Sequence, residues 1–153
     1  MRVYADTSVF GGVFDAEFAQ ASRAFFEEVG QDRLRLVVSA VVEDELRDAP
    51  ASVLKVWEEL KPLMESQEVT DEAVALSEAY LAAGVVGPKW KRDCLHVALA
   101  TVAHCAVLVS WNFRHIVNFR KIHQYNAVNA LEGYPVISIH SPLEVSGDEE
   151  EGL

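Results

Sequence analysis

Apolar residues fall in short compact runs that alternate with longer stretches of helical spacing. Residues 2–5 form a brief β-like run closed by Asp6-Thr7-Ser8, and Gly11-Gly12 behind them read as a loop. Residues 17–29 repeat Phe18, Ala21, Phe25 and Val29 at helical spacing and stop at Gly30. Residues 34–38 are a compact apolar strand ending at Ser39, a suitable N-cap for the helix through Val42, Glu45 and Leu46 that runs to Pro50. Residues 51–64 and 70–83 read as a helical pair, the second opened by Thr70 with acids in its first turn and closed by Gly84. After a break at Gly87-Pro88, residues 89–104 give the clearest helix, rich in Ala, Leu and Val. Residues 106–109 are a buried strand ending at Ser110-Trp111-Asn112, and a polar helical stretch follows. Residues 136–139 make a last short strand between Pro135 and Pro142.

Strands alternating with helices predict an α/β fold, three layers deep (α/β/α), around a central and mostly parallel sheet. Such sheets bind ligands in the crevice at the carboxyl ends of their strands. That rule selects Asp6, after the first strand, and Asn112, after the strand that ends at Val109.

Length and composition agree with one domain: 153 residues, half of them hydrophobic, with a mean hydropathy of +0.09. Residues 1–143 are expected to form it, and 144–153 an acidic, disordered tail. No apolar run approaches the ~20 residues needed to cross a bilayer. An acid interrupts the N-terminus at once, unlike a signal peptide. A soluble, cytoplasmic protein without a membrane partner is expected. If the segment between Cys94 and Cys105 is helical, they lie about three turns and ~16 Å apart, too far to pair, and no tight Cys/His cluster suggests zinc.

Charge changes the picture. The net charge of −11 argues against a nucleic-acid partner. From Lys89 to Lys121, however, six cations (Lys89, Lys91, Arg92, Arg114, Arg120, Lys121) face one acid, Asp93, so this stretch carries +5 and the remainder −16. A solvated face is the ordinary reading of such a run; a track for an anionic strand is the functional one.

Four polar positions carry candidate chemistry: Asp6, Glu45, Asp93 in the first turn of the Ala-rich helix, and Asn112. Each has an ordinary reading as well. Asp6 terminates a strand, Glu45 belongs to a solvated acidic run with Glu43 and Asp44, Asp93 complements a helix dipole, and Asn112 suits a turn. Gathered at one crevice, the acids repel unless a cation compensates them. Hard oxygen ligands of this kind suit Mg2+ or Mn2+.

The order and spacing of these residues resemble PIN-domain nucleases. Asp6-Thr7-Ser8 with Gly11-Gly12 resembles the opening motif. Ser39 to Leu46 matches the second, whose acid six residues after the serine is Glu45. Asp93 to Ala100, including His96, matches the third, and Leu108 to Phe113 falls where the fourth acid usually lies. The resemblance covers residues 1–143 and is strongest to the VapC-type toxins of bacterial toxin–antitoxin systems. It implies a PIN-like fold, metal-dependent cleavage of single-stranded RNA, a homodimer and an antitoxin partner. Asp6 and Asp93 would hold the metal, with Glu45 assisting through water or orienting the nucleophile. Asn112 completes the catalytic set, and Arg114 stands where a further acid sometimes lies. Thr7 and Ser8 would touch phosphate or position Asp6, and Lys91, Arg92, Arg114 and Arg120 would bind substrate.

Asn112 brings an amide where many relatives carry a carboxylate. An active ribonuclease and a catalytically weak PIN-like module that binds RNA or an antitoxin are therefore both compatible with the motifs. A phosphoryl-transfer receiver or phosphatase is disfavoured, because no DxDx[TV] motif follows the first strand. His96 reads as a satisfied core histidine that also has the reach to face the site. His115 and His123 accompany the basic stretch, and Trp111 reads either as packing or as a base-stacking surface. The dimer expectation rests on the apolar pair carrying Val53, Leu54, Trp57, Leu76 and Tyr80.

Overall fold

A computed structural model describes residues 1–145. Strand β1 (Arg2–Ala5) is buried on both faces, with Val3, Tyr4 and Ala5 fully inaccessible. It occupies the centre of a five-stranded sheet with β2 (Arg35–Ser39), β3 (Met64–Gln67), β4 (Val107–Val109) and β5 (Ser138–His140), in the order β3-β2-β1-β4-β5. Every pairing is parallel, and Val3 is in register with Leu36 on one side and Val107 on the other. Strands buried this way are continuous apolar runs, which is why Val3, Leu36–Val38 and Val107–Val109 stand out in sequence.

Helices α1 (Thr7–Gly12), α2 (Ala19–Gly30), α3 (Ala40–Glu45) and α4 (Ala51–Leu60) connect β1 to β2 and β3. Helices α5 (Asp71–Ala82) and α6 (Lys91–Val102) return the chain to β4, and α7 (Phe119–Leu131) leads to β5. The chain reverses direction across the sheet after β3, so right-handed crossovers put the two helical groups on opposite faces. Packing agrees: α1 touches α2 and α4, whereas α5 touches α6 and α7. The expected three-layer α/β/α architecture is therefore the observed one. No helix among the described residues is long and apolar enough to cross a membrane.

Several elements differ from expectation. The loop expected after Ser8 is α1, because Asp6 caps it by accepting from the Ser8 amide. The helix expected to reach Met64 stops at Leu60 and gives way to a 3-10 turn, Lys61–Leu63, that contains Pro62. Strand β3 has no sequence signal; as a half-exposed sheet edge it needs no apolar run. The helix through Glu45 ends there rather than at Pro50. Residues 144 and 145, placed in the tail by the sequence reading, complete α8 (Pro142–Val145), which packs on α2. The rest of that tail lies outside the described residues.

Val53, Trp57, Leu76 and Tyr80 are buried within the single chain and Leu54 is half-buried, so most of the apolar residues named for a dimer face belong to the core. Cys94 and Cys105 are both free and buried.

Candidate active site

Asp6 and Asn112 leave the carboxyl ends of β1 and β4, adjacent strands at which the sheet order reverses. This is the topological switch point, where a crevice forms because the connections diverge to opposite faces. Asp6 is only 4% exposed and is held on both oxygens. Ser8 donates to Oδ1 from its amide (3.1 Å) and its hydroxyl (2.6 Å), and the Ser110 hydroxyl donates to Oδ2 at 2.6 Å. The same two hydroxyls accept from the backbone amides of Trp111 and Asn112, each at 2.9 Å. One carboxylate thus fixes the entire exit loop of β4. Burial raises the Asp6 pKa, opposed by the charge of His96 and the hydrogen bonds of Ser110 and Ser8.

Glu45 comes from the end of α3. Its Oε1 accepts from the Thr7 hydroxyl and lies 2.9 Å from His96 Nε2, while Oε2 accepts from Arg92 Nε at 2.9 Å. Arg92 also pairs with Asp44 at 2.9 Å. Behind the site, the buried His96 places Nδ1 2.8 Å from the Tyr4 hydroxyl, which is 2.8 Å from Ser39 Oγ. Burial acts to raise the Glu45 pKa, but His96, Thr7 and Arg92 outweigh it and hold the carboxyl down at about 2. Of the two residues expected to touch phosphate or position Asp6, Ser8 holds Asp6, whereas Thr7 holds Glu45 instead.

Asp93 projects from the first turn of α6 and is half-buried. Burial raises its pKa; a hydrogen bond from the Asn112 amide and the charges of His115 and His96 lower it, and the charge of Asp6 raises it. Asn112 in turn accepts from the His115 backbone amide at 2.9 Å. Asp6, Asp93 and Asn112 therefore form one electrostatic unit, joined to Glu45 through His96. Beside it opens a cleft of about 410 Å³ lined by Ser8, Gly11, Gly12, Asp15, Phe18, Trp111 and Asn112.

The basic stretch divides. Arg92 is spent on Asp44 and Glu45, and Lys121 donates to the Val85 carbonyl at 2.7 Å. Lys91 and Arg120 are exposed. Arg114 and Lys89 sit by the Trp90 ring. Trp111 packs inward, stacked on Phe18 at 4.1 Å with its indole donating to Ser22 Oγ at 2.8 Å. Tyr4 and Ser110 escaped the sequence reading, whereas His96 both packs in the core and meets Glu45, the two roles its sequence left open. The position of His96 three residues after Asp93, on the same helix face, was the available signal.

Among the described residues, no three His, Cys, Asp or Glu side chains are gathered into a metal-holding group. Mg2+ does not need one, since one or two carboxylates with waters and substrate phosphate suffice. Asp6 and Asp93 offer hard oxygens of that kind, and the mutual repulsion of the two aspartates is what a cation relieves, whereas the Asn112 oxygen is taken by the His115 amide. The donor set fits.

The sheet order and its all-parallel pairing define a three-layer α/β/α domain with acids at its switch point. No protein-family profile and no curated protein matches the sequence. Solved structures do. The chain is similar to VapBC2 from Rickettsia felis bound to a DNA fragment from their promoter (10% identity, 92% of this chain and 98% of that one, TM-score 0.59). It is similar to DNA-bound VapBC from Salmonella typhimurium (18% identity, 93% and 98%, TM-score 0.58). FitAcB from Neisseria gonorrhoeae aligns as well (12% identity, 94% and 99%, TM-score 0.60). At these identities the fold is what is shared.

Proposed function

We propose that the protein is an endoribonuclease that cleaves single-stranded RNA with Mg2+ or Mn2+ and acts as the toxin of a type II toxin–antitoxin pair. The observation that carries this reading is the pairing of Asp6 with Asp93 at the switch point, where each is raised by burial and Asp6 further raises Asp93. A buried and a half-buried acid kept within each other's field are costly for folding alone and suit a cation and a phosphate. The neighbours VapBC and FitAcB are toxin–antitoxin complexes, which supports an antitoxin partner; a homodimer is part of the same reading.

A bound divalent ion would supply charge that offsets the scissile phosphate and acidifies a water at the site. Asp6 and Asp93 would hold it. Ser8 and Ser110 keep the Asp6 carboxylate in one orientation, and Asn112 orients Asp93 with its amide. Thr7, His96 and Arg92 fix Glu45, which leaves it to orient a water rather than to carry free charge.

That last feature favours a second reading. With Glu45 neutralised and Asn112 uncharged, only Asp6 and Asp93 remain without a strong cationic partner, which suits a weak or inactive module that binds RNA or an antitoxin. One assay separates the two. Wild type and Asp6→Asn are incubated with single-stranded RNA in Mn2+ and in chelator. Cleavage that requires both Mn2+ and Asp6 supports the nuclease. Binding without cleavage at any metal concentration supports the inactive module.

A further inference from the structure

His115 is 8% exposed, and both of its ring nitrogens are buried without a hydrogen-bond partner, the only such side-chain atoms among the described residues. Buried polar atoms are almost always satisfied, so an orphaned imidazole marks a place where a partner belongs. Its surroundings say what kind. The ring stacks on Trp90, centroids 4.5 Å apart and 30° between planes. Lys89 Nζ lies 5.1 Å from the Trp90 ring centroid, and Arg114 Cζ 5.6 Å from it. Lys89 and Trp90 belong to the 3-10 turn Pro88–Trp90 that leads into α6 and Asp93; Arg114 and His115 belong to the loop after Asn112. Trp90 thus pins together the two arms that frame the acids, and it collects two exposed cations that repel each other.

An anion with hydrogen-bond acceptors meets all of these demands at once. We propose that Lys89, Trp90, Arg114 and His115 form a nucleotide subsite that holds one phosphodiester of single-stranded RNA next to the scissile one. Lys89 and Arg114 balance the phosphate charge, the His115 ring N–H donates to a phosphate oxygen, and Trp90 holds the three groups in place. The inference rests on the RNA reading above and narrows it. Of the six cations between Lys89 and Lys121, Arg92 and Lys121 are committed to partners within the chain, and the subsite is built on the two that Trp90 gathers.

The test is fluorescence anisotropy of a labelled single-stranded RNA oligomer with the full chain in chelator, across a salt series. The proteins are wild type, Lys89→Ala/Arg114→Ala, His115→Phe and, as a control, the exposed Lys55→Ala. The double variant is expected to bind at least about tenfold more weakly, and its log–log salt slope to flatten by about 1.4, two cations at ~0.7 each. His115→Phe keeps the stack on Trp90 and removes the orphaned nitrogens. It is expected to lose RNA affinity several-fold without losing thermal stability, an outcome that a packing role would reverse. Wild-type RNA binding that both variants match in affinity and slope overturns the subsite and leaves the RNA reading standing. No wild-type RNA binding, with polyglutamate bound through Lys89 and Arg114 instead, overturns the RNA reading itself and assigns the cluster to an acidic protein partner.

Discussion

His96 Nε2 lies 2.9 Å from Glu45 Oε1, and this contact joins the floor of the site to the core, because the other ring nitrogen meets the buried Tyr4 hydroxyl. Glu45 is therefore a structural acid as well as a site residue, and its role reads directly in acid stability.

The Glu45 pKa is lowered from 4.5 to about 2. A depressed carboxyl stabilises the fold above its unfolded value, and that contribution disappears as pH falls through the folded one. Glu45→Gln should cost about 2 kcal/mol at neutral pH, a figure discounted because the side chain is a quarter exposed. The deficit in Tm against wild type should be full above pH 4.5 and shrink steadily towards pH 2. A pH-independent deficit would refute the ionic account.

Asp93 behaves in the opposite sense. Its folded pKa is raised above 3.8, so the folded state binds more protons and stability falls as pH climbs through that window. Asp93→Asn should leave metal-free protein about 1 kcal/mol more stable at pH 7, near 3 °C in Tm for a chain of this size. The gain should fade as pH falls from the raised folded value towards 3.8 and be gone below it. The same substitution should abolish metal-dependent RNA cleavage; undiminished activity in the purified variant would remove Asp93 from the site.

Asn112→Asp replaces the amide that donates to Asp93 with a third charge beside Asp6. Metal-free protein should become less stable by about 1 kcal/mol or more, since a like charge replaces a hydrogen bond. Mn2+ should bind more tightly, and RNase activity at limiting metal should rise. Calorimetric titration, with melts in chelator, reads both effects. Unchanged Mn2+ affinity would mean that Asn112 lies outside the metal's reach.

Gly12 ends α1 against the Trp111 indole. A Cβ there would stand 2.6 Å from Ser22 Oγ and 2.7 Å from Trp111 Nε1, inside the hydrogen bond that anchors the β4 exit loop. Gly12→Ala should destabilise by about 1–3 kcal/mol through overpacking and should lower activity by loosening Ser110 and Asn112. Thermal melts and tryptophan fluorescence would show it; a variant as stable as wild type would mean that the indole moves freely.

Local pattern carried most of the architecture. Compact apolar runs at Val3, Leu36 and Val107, broken by helical spacing, are enough to imply a parallel sheet with helices on both faces, because a strand buried on two sides has no polar positions to spare. The same pattern placed Asp6 and Asn112 at strand ends and Asp93 in a first helical turn. Edge strand β3 was invisible, since one exposed side removes the need for an apolar run. The fate of the charges was equally hidden. Arg92 and Glu45 are 47 residues apart and His96 and Tyr4 are 92 apart, so only the strand order brings them together. Sequence spacing governs contacts within a turn or two of helix; which cation is spent on which acid, and that His115 is left without a partner, follow from how β1 and β4 lie side by side.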